Sequence, residues 1–192
     1  EDSLVHCYKQ VLEAQQGRHV SFRLLDVAAA TLEPGRSNQE RNPAIGQRGV
    51  RGLLANQDVL RMQLRAILRA SVGVAGVAML VPFVTSLAEF QRVKAAMLEE
   101  RVALKKARIP CAADMAMAPI IEVPAAAMSI GALLNESDFA VIAIDDLQAH
   151  VLGADRDNAA VREYHEMVHP AVFELLARMD IAVPPEFAGR VL

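Results

Sequence analysis

The sequence predicts an α/β fold with a parallel sheet, on three observations. Short apolar runs recur that are too brief for helices, and a segment of helical periodicity follows each of them. The runs at Val77–Val81 and Phe139–Ile144 carry no interrupting polar residue, as in strands buried on both faces. One helix followed by four β-α units leaves two architectures: an open doubly wound sheet, or part of a (β/α)8 barrel with right-handed crossovers. A full barrel typically needs about 250 residues, so four units in 192 residues amount to roughly half of one.

Residues 1–16 space Leu4, Tyr8, Val11 and Leu12 as the apolar stripe of a helix, which Gly17 ends. His19–Leu25 is the first strand-like run, followed by Asp26 and a polar loop through Glu33-Pro-Gly-Arg-Ser-Asn38. Between Arg48 and Arg69, Val50, Leu53, Leu54, Val59, Leu60, Leu64, Ile67 and Leu68 predict a short helix and a longer one capped near Asn56, in a stretch dense in arginine. Val77–Val81 is the second strand, closed by Pro82. Ser86 with Glu89 is a capping box opening a charged helix to about Ala107. Ala116–Glu122 is the third strand, and Pro124 starts a helix running to Leu134. Phe139–Ile144 is the fourth strand, ending in Asp145-Asp146, and a last helix is expected from Asn158 to Met179.

Composition excludes several classes. With 53% hydrophobic residues the chain is not a disordered tail, and 20 basic against 23 acidic side chains give no surplus for phosphate-backbone binding, so no nucleic-acid partner is expected. The length suits a single domain over 1–192 that buries roughly 70% of its unfolded surface. Cys7 and Cys111 fit no ligand or redox spacing, which suits free thiols in a reducing cytoplasm. Val72–Leu87 is cut by Pro82, so no membrane span is expected. The opening Glu1-Asp2, with neither Met nor a basic signal region, suggests a piece excised from a longer polypeptide.

Both parallel architectures gather function at the carboxyl ends of their strands. Those positions hold Arg23, the loop Asn42–Arg51 with Arg48, Glu122, Asp145-Asp146 and Asp155-Arg156, a carboxylate cluster beside an arginine cluster. Glu122 with Asp146 suits a hard divalent cation, Mg2+ above all, and arginine forks suit carboxylate and phosphate oxygens. Together they describe a site for a small phosphorylated acid. The plainer alternative is that Asp145-Asp146 caps the next helix and the arginines coat a solvated face. Other signals are weaker. His165-Glu-Met-Val-His169 fits a zinc-helix pattern but sits in an unsuitable α/β context with Pro170 beside it. Met115, Met117 and Met128 read as core filling, and Cys111 has no histidine near it in sequence.

At these residues the sequence resembles the phosphoenolpyruvate-binding barrel domain of the Enzyme I family, the phosphoenolpyruvate-protein phosphotransferases of the sugar phosphotransferase system. The wider family includes pyruvate phosphate dikinase and phosphoenolpyruvate synthase. The resemblance rests on Arg23-Leu-Leu-Asp26, Asn42–Arg51, Gln63–Ser71, Val81–Ser86, Ile121–Ala127 and Leu152–Asn158, in family order along nearly the whole chain. It implies a TIM-type (β/α)8 barrel, here a partial one of about four βα units. It further implies Mg2+ held by Glu122 and Asp146, and phosphoenolpyruvate bound by Arg23, Arg48 and Arg156, with Asp145 beside the substrate. The implied reaction transfers phosphoryl to a histidine on a separate domain, with a phosphocarrier protein as the next partner. No catalytic residue is carried over to this chain, since the family's phosphohistidine domain and its Cys-Gly-Glu acid have no counterpart.

The departures are specific. Val27–Thr31 replaces the family's Gly-Gly-Asp-Lys, Gln47 replaces an aromatic residue, and Asp145 replaces Asn. A carboxylate facing the substrate phosphate at about 4 Å costs on the order of 4 kcal/mol at an effective dielectric near 20. The rival readings are a non-catalytic regulatory or scaffold paralogue and a Mg2+-dependent barrel enzyme acting on pyruvate-like acids. A half barrel also leaves strand edges open, so a homo-oligomer, or an excised piece of a larger protein, is expected.

Overall fold

The computed structural model describes residues 1–27, 40–165, 167 and 169–192. The polar loop at 33–38 and most of the departure at 27–31 lie outside the described residues. Helix α1 (Asp2–Ala14) leads into β1 (Val20–Arg23), and a 3-10 turn (Pro43–Ile45) precedes α2 (Gly49–Ala55) and α3 (Gln57–Ala70). Next come β2 (Val77–Val81), α4 (Leu87–Lys106), β3 (Ala116–Ile121), α5 (Pro124–Met128), α6 (Ile130–Glu136), β4 (Val141–Ile142) and α7 (Ile144–Leu152). A 3-10 segment (Ala159–His165), α8 (Pro170–Ala182) and a 3-10 turn (Pro185–Arg190) complete the chain.

The four strands are parallel and lie in the order β1-β2-β3-β4. A doubly wound sheet reverses direction at a switch point, whereas every crossover here advances the same way. Right-handed crossovers that all advance one way put the helices on one face, and the sheet curls as half of a barrel wall. The helices follow in the same sequence, α1 packing on α3, α3 on α4, α4 on α6 and α6 on α8.

Register explains the two faces. Phe22, Met79 and Met117 pair across three strands and are buried beneath the helices with Leu60, Leu64, Ile67, Phe90, Val93 and Leu104. The alternate row of Arg23, Leu80 and Ala118 lies on the opposite, concave face, where Arg23 is exposed. Tyr8 meets Phe22 edge to face with centroids 4.7 Å apart, and Gln63 joins layers by donating to the Tyr8 hydroxyl and accepting from Leu25 N. The arginines of α3 bind helices to one another: Arg61 pairs with Glu99 and Glu100, Arg65 with Glu1 and Glu100, and Arg69 with Glu1 and Asp2.

Several expectations are met closely. The Ser86–Glu89 capping box forms, the helix from Leu87 stops at Lys106, and two helices meet at Asn56. Others need correction. The single helix from Asn158 to Met179 is two segments, because Pro170 lacks an N–H and begins α8 with His169 as its cap. His165 and His169 therefore share no helical face, and Glu166 and Val168 of that pattern lie outside the described residues. The helix from Pro124 breaks at Ser129, and Met128 is 62% exposed while Met115 and Met117 are in the core. The outer edge of β4 is not bare: Ala140 N donates to Arg190 O, Ile142 N to Leu192 O, and Leu192 N to Ala140 O, a parallel pairing. Among the described residues no strand pairs with the outer edge of β1.

Leu64 is wholly buried between α3 and the sheet. Leu64→Ala is expected to destabilise the fold by about 2–5 kcal/mol, read from the urea unfolding midpoint. A loss below about 1 kcal/mol would show that this helix layer is not the core.

Candidate functional site

The carboxyl ends of the strands deliver Asp26, Phe83, Glu122 and Asp146 to one rim. Asp26 follows β1 and accepts two bonds from Arg48, Nε to Oδ1 at 3.0 Å and Nη2 to Oδ2 at 2.6 Å. Arg23 Nη1 lies 3.8 Å from the same Oδ2, so one buried carboxylate organises both arginines. That fork of bonds raises the Arg48 pKa further and holds it charged.

Arg48 reaches this position because the chain beside it passes very close to the β2 turn. Val50 N donates to Pro82 O, and a side-chain carbon on Gly49 would lie 2.5 Å from Phe83 Cβ. Gly49 also has φ +51°, where a glycine is the natural occupant. Phe83 itself sits at φ +59° without being glycine. Its ring lies 5.0 Å from the guanidinium carbons of both Arg48 and Arg51, and edge to face with His150 at 5.5 Å.

Glu122 follows β3, is 2% exposed, and accepts from Phe83 N through Oε2 at 2.5 Å. Burial pushes its pKa up to about 7; the Phe83 bond pulls the other way, and Asp26 and Asp146 push it further up. Asp146 lies in the first turn of α7, with Arg156 Nη1 at 3.2 Å from its Oδ1. His150, one turn along α7, places Nδ1 2.9 Å from the Glu122 carbonyl and 2.7 Å from the Asp146 carbonyl.

A cavity of about 580 Å3 opens over this rim, lined among others by Arg41, Arg48, Asp146, His150 and Arg156. A second cavity of about 730 Å3 lies at the amino ends, where Ala78, Ala116 and Phe139 line it without any arginine. The first is the candidate site, since it joins strand carboxyl ends to paired cations. Of the residues singled out in sequence, Arg48, Asp146 and Arg156 line the cavity. Glu122 is not on the cavity wall but is joined to it through His150, which bonds to its carbonyl, and Arg23 joins through Asp26. Asp145 is exposed in the first turn of α7 and is not on the cavity wall. Asp26, Phe83 and His150 carry roles that the sequence reading did not assign to them.

Among the described residues no three His, Cys, Asp or Glu side chains converge as a ready metal cage. The donor set nevertheless fits Mg2+, which takes one or two carboxylates and completes its shell with water and phosphate.

A family model described as the PEP-binding domain of PEP-utilising enzymes matches residues 1–183. The chain belongs to this family. It is 35% identical over 180 residues, 93% of its length, to a phosphoenolpyruvate-protein phosphotransferase of Bacillus sp. (strain S). Enzymes of the same name from Staphylococcus aureus (strain MSSA476) and Priestia megaterium are 34% and 33% identical, over 93% and 92% of the chain. The chain spans 31% of the length of these curated relatives. A solved citrate lyase from Burkholderia xenovorans LB400 aligns with 66% of this chain and 36% of its own, at 18% identity and a TM-score of 0.45. Within the described residues, no helix of this family member is long and apolar enough to cross a membrane.

The raised Glu122 pKa sets a pH dependence. The fold favours the neutral acid, so its contribution is fully present below about pH 4.5 and is lost as pH rises towards 7. At roughly 1.4 kcal/mol per pKa unit, the loss is about 3 kcal/mol. In metal-free buffer, Glu122→Gln is expected to remove this decline, bringing the variant above the unaltered protein at pH 8 and level with it near pH 4.5. Parallel stability curves for the two proteins between pH 4.5 and 8 would contradict it.

Proposed function

We propose that residues 1–192 form one phosphoenolpyruvate- and Mg2+-binding domain of a cytoplasmic phosphoenolpyruvate-protein phosphotransferase of a sugar-transport system. That enzyme moves a phosphoryl group from phosphoenolpyruvate to a histidine. The observation that carries this reading is the cavity at the strand carboxyl ends, whose wall holds Arg48 and Arg156 with Asp146, and His150 bonded to the Glu122 carbonyl. Family membership supplies the substrate.

In this reading Arg48, Arg23 and Arg156 bind the phosphate and carboxylate oxygens of the substrate. Asp26 aims Arg48 and shares its charge with Arg23, so the guanidinium groups are oriented before substrate arrives. Glu122 and Asp146 are the residues that would hold Mg2+, and Arg156, paired with Asp146 on the cavity wall, would meet an anion bound there. Mg2+, when bound, neutralises charge on the phosphoryl oxygens. The acceptor histidine and the acid that protonates the enolate belong to segments outside this chain, which accordingly binds and aligns but does not complete turnover. Asp145, exposed and off the cavity wall, does not oppose the phosphate in this arrangement.

Calorimetric titration with phosphoenolpyruvate, with and without Mg2+, tests the assignment. Mg2+-dependent binding is expected, weakened at least about tenfold by Arg48→Ala and by Glu122→Ala, roughly 1.4 kcal/mol or more in each case. No heat at millimolar ligand from a folded chain would overturn the reading and favour a scaffold role.

A further inference from the structure

We propose that His150 is a positioning residue which sets the spacing of Glu122 and Asp146 through their own main-chain carbonyls. The proposal rests on the reading of those two carboxylates as the cation-binding pair. A single ring nitrogen, Nδ1, lies within hydrogen-bond distance of both carbonyl oxygens, at 2.9 and 2.7 Å. Carbonyl oxygens only accept, so the nitrogen between them carries the proton and donates to both. The residues so joined come from different elements, the end of β3 and the first turn of α7.

Two further contacts make this a brace rather than an incidental bond. Glu122 is gripped at both ends, its carbonyl by His150 and its carboxylate by the N–H of Phe83. The rings of those two gripping residues pack on each other edge to face. Asp146 stands one helical turn before His150, so the same N–H fixes where α7 begins relative to the end of β3. Nearer the sheet, the β3–β4 pairing ends in a bond from Ala143 N to Ile121 O at 3.1 Å, one residue before Glu122 and three before Asp146. Groups that orient ligating side chains from behind typically change metal affinity by about 10- to 100-fold when removed.

The test uses Mn2+ as the probe on the full chain, with free Mn2+ measured by electron paramagnetic resonance and folding checked by circular dichroism. His150→Asn places an amide N–H where Nδ1 stands and is expected to bind within about threefold of the unaltered protein. His150→Phe keeps the ring against Phe83, deletes the N–H, and is expected to bind at least roughly tenfold more weakly. A role in packing alone would leave the Phe variant unchanged. Should His150→Phe not fold, His150→Gln, whose amide reaches past the Nδ1 position, takes its place with the same expected loss relative to Asn. Independently of any metal, long-range proton–nitrogen spectra of the unaltered protein are expected to show the proton on Nδ1.

A neutral ring protonated at Nε2 instead overturns the proposal, as does a folded Phe or Gln variant with unchanged Mn2+ affinity. If Mn2+ binds and Glu122→Ala abolishes it while the His150 variants bind normally, the cation reading stands and only the role of His150 falls. If the unaltered chain binds no Mn2+, both fall.

Discussion

A carboxylate buried at the end of a strand needs a partner, and the Glu122 carboxylate finds it in the backbone N–H of Phe83. Removing a carboxylate from water without compensation costs several kcal/mol, so the turn after β2 is shaped to aim an N–H at it. Much of the rim follows from that requirement. The turn brings the Phe83 ring under two guanidinium groups, its close approach leaves no room for a side chain at Gly49, and Gly49 in turn positions Arg48 over Asp26. The bond does not fully offset the cost of burying the charge, which is why Glu122 remains reluctant to ionise.

Much of this architecture is legible in the amino-acid order. The capping box at Ser86 and Glu89 is a local device whose partners are three residues apart, and it forms as spelled. The runs at Val77 and Ala116 are strands because nothing but a sheet buried on its helix-covered side accommodates them. Glu122, Asp146 and Arg156 stand out because a parallel sheet focuses chemistry on strand ends, a rule that needs no coordinates. The sequential strand order is different in kind. It depends on which way each crossover turns, and periodicity alone left an open sheet as a live alternative.

What was missed depends on contacts between segments distant in sequence. Asp26 is separated from Arg48 by 22 residues, and His150 reaches Glu122 across 28, so neither pairing has a local spelling. The one local clue was the four-residue step from Asp146 to His150, which puts both on one helical face. The helix expected through Pro170 failed for a reason that was present in the sequence: proline opens helices more readily than it continues them. Met128 was assigned to the core on residue type, whereas the break at Ser129 turns its side chain outward.

Phe83 occupies a left-handed backbone conformation that costs an ordinary residue roughly 1–2 kcal/mol and costs glycine little. Glycine at that turn would give a more relaxed chain with the same N–H, yet it would strip the surface against which Arg48, Arg51 and His150 rest. The residue at this position combines a strained turn with a buried ring on which Arg48, Arg51 and His150 rest. Phe83 is 2% exposed and belongs to the hydrophobic core, so deleting its ring would cost about 3–5 kcal/mol, more than the strained backbone does, and burial of the ring is what holds the turn in its left-handed shape.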